Sequence, residues 1–256
     1  MSDFAAVAVP TAPCKVCGVP APLFGVCDFN RSCEEHRGKV LPMSGIPIYY
    51  RRCPNCGFLF TNAFDAFSND DFKQWIYNDQ YGSIDPDYAA SRPANNAMLV
   101  ADLVGAARNT HILDYGSGNG SMADTLRQRG YDVTEYDPFV AHSNRRPEGL
   151  FDLITAFEVL EHSIDPRQTI QDIAGLLADP GMILFSTLVQ TDRIVTTGMN
   201  WWYIGPRNGH ASVYTRRSLE VLANSLNLGF GSFNDVLHVI LRRIPPFAAG
   251  RIAVAR

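Results

Sequence analysis

The stretch LDYGSGNG, residues 113–120, sets a short apolar run and Asp114 directly before three glycines at alternate positions, Gly116, Gly118 and Gly120. Such glycines let a chain turn sharply and bring its backbone against a ligand with no Cβ in the way. Taken alone, the pattern serves equally well as a tight strand-to-helix connection. The flanking sequence adds context. HILDY reads as a strand, SMADTLRQR as a helix closed by Gly130, YDVTEYD as a second strand and FDLITAF as a third. DPRQTIQDIAGLLAD predicts a helix with Asp165 as N-cap, Pro166 at the first helical position and Ile170, Ile173, Leu176 and Leu177 on one face. GMILFSTL then reads as a strand and RRSLEVLANSLN as a helix. DVLHVILRR and RIAVAR read as two strands joined by a turn containing Pro245 and Pro246. This alternation predicts an α/β fold, a doubly wound, mostly parallel sheet with a terminal antiparallel strand.

In such sheets ligands sit beyond the carboxyl ends of the strands. Asp137 closes the second strand, where an acid can accept hydrogen bonds from both hydroxyls of a ribose, although Asp137-Pro138 is also a good turn starter. Asp114 says more. A buried carboxylate beside the loop would repel a pyrophosphate and attract a sulfonium or an ammonium. A dinucleotide is the competing ligand for the loop alone, but G-S-G-N-G lacks the G-x-G-x-x-G spacing.

ILDYGSGNGSMADTL, YDVTEYDPF, FDLITAFEVLEHSIDP and GMILFSTL, in this order, resemble the successive motifs of class I S-adenosylmethionine-dependent methyltransferases. The resemblance covers about residues 95–256 and implies a Rossmann-like methyltransferase sheet. It implies that Asp114, Gly116, Ser117 and Gly118 receive the methionine part of S-adenosylmethionine. Asp137 would bind the ribose, and Phe157 with Glu158 would lie near the methyl group. The family usually has a further strand and an adenine-contacting residue before the FDLI-like strand. Here only PFVAHSNRRPEGL fills that interval, so no adenine-binding residue is assigned.

All six cysteines lie in the first quarter of the chain. Cys14-x-x-Cys17-Gly and Cys53-Pro-Asn-Cys56-Gly have the form of two knuckles, each placing two thiolates on one tight turn. Together they make a four-sulfur zinc site of structural type, closed to water, with buried unliganded cysteines as the alternative. Cys27, Cys33 and His36 have unrelated spacing and read as packing or surface residues. The knuckles are similar to the zinc modules that precede the methyltransferase domain in some sugar C-methyltransferases. The expected division is a small zinc-ribbon-like module over 1–62, a helical lid or linker over 63–108 and the methyltransferase domain over 109–256.

Methyl transfer needs an acceptor held in line and, for some acceptors, a base. His162, at the end of FEVLEH, resembles a family position at the mouth of the cofactor site, or it caps a turn. WWYIGPRNGHASVYT, residues 201–215, falls where the family builds its acceptor pocket. It offers His210, ahead of His162, as the base, with Tyr214 as the fallback, Trp202 and Tyr203 as pocket walls and Arg207 as a clamp for an anionic group such as that of a nucleotide-linked sugar. The alternative is that these aromatics plug the sheet edge as core.

A net charge of −4 supplies no field for a phosphate backbone, which disfavours nucleic acid and with it an RNA methyltransferase using the cysteine module as its grip. The N-terminal stretch MSDFAAVAVPTAP does not read as a signal peptide, and no apolar run reaches transmembrane length, so the expectation is a cytoplasmic protein. The leading expectation is an enzyme acting on a small-molecule acceptor, either a sugar or a natural-product intermediate. A non-catalytic cofactor-binding scaffold is the third reading.

Overall fold

The computed structural model of the protein describes residues 9–88 and 91–252. The chain opens with a two-stranded antiparallel ribbon, β1 (Ala12–Pro13) and β2 (Pro20–Ala21), followed by antiparallel strands β3 (Leu23–Asp28), β4 (Pro47–Arg52) and β5 (Leu59–Thr61). Helices α1 (Asn69–Trp75), α2 (Tyr81–Ile84) and α3 (Arg92–Val104) come next. Ser68 and Asp71 start α1 with a reciprocal capping box, each satisfying the other's backbone N–H.

The remainder alternates as the apolar pattern predicts: β6 (His111–Tyr115), α4 (Ser121–Gln128), β7 (Asp132–Tyr136), β8 (Phe151–Phe157), α5 (Pro166–Gly175) and β9 (Leu177–Ser186). There follow a single turn α6 (Ile194–Thr197), a two-residue strand β10 (Ser212–Val213), α7 (Arg216–Asn224), β11 (Gly229–Ser232) and β12 (Leu237–Arg243). The main sheet runs β11-β12-β9-β8-β6-β7, with β7, β6, β8 and β9 parallel and β12 and β11 antiparallel. Successive side chains leave opposite faces of a strand. Ile112, Leu153, Leu184 and Val239 therefore pack with α3 and α4, while Leu113, Ile154, Ile183 and Ile240 pack with α5 and α7. Each such fully buried Leu or Ile contributes about 1.5–3 kcal/mol.

Three local expectations change. α5 stops at Gly175, and Leu177 instead opens β9 opposite Phe151; the helical spacing of Leu176 and Leu177 is fortuitous, because both are buried as the chain turns into the sheet. The terminal hairpin turns at 233–236, where Asn234 Oδ1 accepts the N–H groups of Val236 and Leu237. Pro245 and Pro246 follow β12; Arg251 and Ile252 of RIAVAR lie outside any strand, and 253–256 fall outside the described residues. The interval 138–150 contains no strand, so β7 is the sheet edge.

The small sheet does not end with the first 61 residues. β10 pairs antiparallel with β5, Ser212 opposite Phe60 and Val213 opposite Leu59, so a late segment forms its edge. No helix among the described residues is long and apolar enough to cross a membrane.

Candidate functional site

The order of the main sheet reverses between β6 and β8. The chain leaves β6 toward β7 and returns to β8 on the other side, which opens a crevice at the carboxyl ends of these strands. A cleft of about 1070 Å³ lies there. All seven residues assigned to the cofactor line it: Asp114, Gly116, Ser117, Gly118, Asp137, Phe157 and Glu158.

The glycines are needed sterically. Gly116, Gly118 and Gly120 have φ of 78°, 56° and 77°, in the left-handed region that side chains disfavour. A Cβ on Gly116 would lie 2.4 Å from Val159 Cγ2, and one on Gly118 would lie 2.6 Å from the Tyr88 hydroxyl. The N–H groups of Gly116 and Ser117 both reach the Tyr136 carbonyl, at 2.7 and 3.2 Å, which pins the loop to the end of β7. The Ser117 hydroxyl is buried with no hydrogen-bond partner among the described residues, on a residue that lines the cleft.

Asp114 is 4 % exposed and accepts one hydrogen bond, from Thr155 Oγ1 at 3.0 Å. Burial pushes its carboxyl up to about 7, and the charges of Glu135 and Asp137 push the same way. A cationic ligand group would offset that cost. Asp137 uses both carboxylate oxygens on backbone N–H groups, Gly118 at 2.9 Å and Phe139 at 2.8 Å, and keeps lone pairs for a ligand hydroxyl. Glu158 sits at φ 55°, strained for a residue with a Cβ, and is held there by Ser186, whose hydroxyl accepts the Glu158 N–H and donates to Glu158 Oε1.

The acceptor residues expected from 201–215 are placed elsewhere. Tyr214 is fully buried and donates to the Leu160 carbonyl at 2.9 Å. Arg207 is buried, with its guanidinium on the Ile76 carbonyl and Asn78 Oδ1, at 3.0 and 3.1 Å, and it borders a separate small pocket with Trp75 and Gln80, away from the cleft. Tyr203 donates to Glu161 Oε1 at 2.6 Å, and Trp202 packs on His36. None of these four, nor His210, lines the cleft. The loop is an edge plug. It carries β10, and Trp201, Tyr203 and Tyr214 pack into the buried clusters between the small sheet and the main sheet.

His162 does line the cleft, and it meets His210 behind the wall with ring centroids 5.1 Å apart. Burial drives both imidazoles below their usual range and drives the neighbouring Glu161 carboxyl well above its own, with Glu158 adding repulsion. Sequence reading missed Glu161, whose signal was its place in FEVLEH. It also missed the opposite wall of the cleft, where Phe72, Tyr77, Tyr81, Tyr88 and Arg92 come from the helical segment before β6; the aromatic run over 72–88 was the clue.

At the other end of the molecule Cys14, Cys17, Cys53 and Cys56 converge, their sulfurs all within 4.8 Å of one another. Cys14 Sγ lies 3.7 Å from Cys56 Sγ and Cys17 Sγ 3.4 Å from Cys53 Sγ, near the roughly 3.8 Å edge of a tetrahedron built on Zn–S bonds of about 2.3 Å. The two knuckles repeat one hydrogen-bond plan. Gly18 N–H reaches the Cys14 carbonyl and Gly57 N–H that of Cys53, while Cys14 N–H reaches Val19 and Cys53 N–H reaches Phe58. The four-thiol set and its geometry fit zinc. Cys27, Cys33 and His36 form no shared ligand cluster among the described residues.

Comparison with known proteins agrees with the fold. A family model described as a methyltransferase domain matches residues 88–229, over half of the chain. Ubiquinone biosynthesis O-methyltransferase of Pectobacterium carotovorum subsp. carotovorum is 30% identical over 102 residues, covering 30% of this chain and 42% of the relative. The protein of that name from Coxiella burnetii (strain Dugway 5J108-111) is 27% identical over 154 residues, 51% of this chain and 58% of the relative. The chain thus spans about half the length of these curated relatives. A solved O-methyltransferase family protein from Burkholderia thailandensis shares the fold at a TM-score of 0.52 and 14% identity, covering 71% of this chain and 64% of that one. With the switch-point cleft and the glycine loop in place, the chain belongs to the methyltransferase-domain family.

Proposed function

We propose that the protein binds S-adenosylmethionine in the cleft between β6 and β8 and transfers its methyl group to a small-molecule acceptor. The observation that carries this reading is the convergence of Asp114, the Gly116–Gly118 turn and Asp137 on one cleft. The names of the relatives, O-methyltransferases, agree with it. When bound, the cofactor supplies a methyl already activated on a sulfonium. The chain's own residues do the rest. Asp114 faces the cationic end, where a positive group offsets its buried charge. Ser117 offers its unpaired hydroxyl, and Asp137 accepts from the ribose. The glycine turn leaves room for the ligand, and Phe157 with Glu158 bounds the transfer point.

The acceptor enters against Phe72, Tyr77 and Tyr81, a wall suited to the apolar face of a ring, and we assign it to sugars or natural-product intermediates. Arg207 no longer argues for a nucleotide-linked sugar, since it lies off the cleft and braces the Ile76 carbonyl and Asn78. Acceptor chemistry falls to His162, which reaches the cleft. Structural zinc on the four cysteines completes the reading. It clamps β1–β2 to the β4–β5 turn and belongs in a reducing, cytoplasmic setting that keeps the thiols free. The division into 1–62, 63–108 and 109–256 is retained, with β10 as the place where the third part completes the first.

The test is incubation with methyl-labelled S-adenosylmethionine and a panel of small hydroxylated, aminated and CH-acidic ring compounds. Label should appear in one acceptor class. Cofactor binding with no transfer to any class would favour a non-catalytic scaffold, and no binding at all would contradict the proposal.

A further inference from the structure

Behind the cleft wall, Glu161, His162 and His210 bring one donor atom each to within 4.8 Å of one another. Glu161 and His210 are 0 % and 5 % exposed. Two of the donors in this knot, Glu161 Oε2 and His162 Nδ1, are buried with no hydrogen-bond partner among the described residues. An orphaned buried polar atom is costly. Thr187 Oγ1, near Glu161, is unpaired as well, and His162 Nδ1 lies against the Gly209 backbone, so it is the convergence of three ligand-type side chains that carries the case for an ion. Two further atoms, Glu161 Oε1 and His210 Nδ1, are held by hydrogen bonds of the kind that orient metal ligands. Tyr203 donates its hydroxyl to Glu161 Oε1 at 2.6 Å, and its carbonyl accepts from His210 Nδ1 at 2.8 Å. One buried residue therefore orients two of the three groups and fixes the His210 tautomer that leaves Nε2 with a lone pair.

We propose that Glu161, His162 and His210 hold a divalent first-row metal ion at the wall of the cleft, with an open coordination position toward the cleft. Two imidazoles and one carboxylate suit zinc, iron, cobalt or nickel better than magnesium, which wants oxygen ligands. The donors need to close from at most 4.8 Å to the roughly 3.4 Å edge of a tetrahedron with bonds of about 2.1 Å, within reach of small side-chain rotations. A dication also compensates the negative charge of Glu161, which burial and repulsion from Glu158 otherwise penalise. Three protein ligands leave a fourth position for water or an acceptor oxygen. Metal binding stands independently of the methyl-transfer reading, whereas a role in activating the acceptor rests on it.

The experiment is a Co²⁺ titration of the full chain that retains zinc on its four cysteines, followed by visible absorption. We expect one Co²⁺ per chain with d–d bands of nitrogen and oxygen ligation and no thiolate charge-transfer band. His210→Gln and Glu161→Gln should weaken it by at least about a hundredfold, and Tyr203→Phe by about ten- to a hundredfold, at unchanged zinc content. Equal Co²⁺ affinity in the folded variants and wild type would overturn the proposal, and so would spectra showing thiolate ligation alone. If the variants do not fold, wild type decides. Saturating Co²⁺ should give paramagnetic shifts on the imidazole protons of both His162 and His210, and unshifted protons would overturn it. S-adenosylmethionine affinity, measured separately, shows whether the methyl-transfer reading fails on its own.

Discussion

Asp137 accepts the Gly118 N–H at 2.9 Å, which ties the end of β7 to the turn after β6. The acid assigned to the ribose is thus also a brace for the glycine loop. Asp137→Ala should weaken S-adenosylmethionine binding by about 1–3 kcal/mol for the lost charged acceptor, and by more if the loop relaxes. Asp137→Asn keeps one carbonyl acceptor for Gly118 and should lose less. Equilibrium dialysis of the two variants checks the order, and equal affinity in wild type and Asp137→Ala would remove Asp137 from the site.

Gly116→Ala adds a Cβ at φ 78°, 2.4 Å from Val159 Cγ2. Strain of about 1–3 kcal/mol should lower the melting temperature by about 2–4 °C per kcal/mol, and the shifted turn should abolish cofactor binding. Scanning calorimetry and dialysis on the same sample measure both effects.

Asp114 gives a pH dependence with a definite sign. Its folded-state pKa, about 7, lies above the ordinary aspartate value of 3.8, so its contribution to stability is full below 3.8 and is lost as pH rises to about 7. A cationic ligand favours the ionised form, and below about pH 7 its binding must release a proton. S-adenosylmethionine affinity should therefore rise with pH and flatten above about 7. In Asp114→Asn the profile should be weak and flat. Calorimetric titrations across that range in two buffers of different ionisation enthalpy read the proton release directly.

Cys53→Ser should lose the zinc of the four-sulfur site and also lower the stability of the whole chain. The second knuckle packs through Phe58 against Tyr214, and Thr215, the N-cap of α7, donates its hydroxyl to the Cys56 carbonyl. Elemental analysis gives the metal content, and thermal melts report whether unfolding stays local.

Arg207→Ala should cost about 1–3 kcal/mol by removing a buried side chain that donates to the Ile76 carbonyl, while leaving cofactor affinity unchanged. A specific rise in acceptor KM without loss of stability would restore Arg207 to the substrate site.

The strands around the site were legible because each is a short apolar run bounded by turn residues: HILDY became β6 and FDLITAF became β8 at the bounds read from the text. The Asp165 cap and Pro166 were legible too, since Asp165 Oδ1 does accept the Gln168 N–H. What local pattern could not carry was partnership across the chain. β10 is two residues long and exists only by pairing with β5, so Trp202, Tyr203 and Arg207 read as an exposed recognition loop when most of that loop is buried. His210 and Glu161 meet only because β10 places the loop beside the turn after β8, and no spacing rule within one segment reports that encounter.

The central claim is that the cleft beside Gly116 takes S-adenosylmethionine. Isothermal titration of the wild-type chain tests it most directly. One site per chain is expected for S-adenosylmethionine, competed by S-adenosylhomocysteine, with no heat from NAD; binding of NAD with none of S-adenosylmethionine would contradict this assignment.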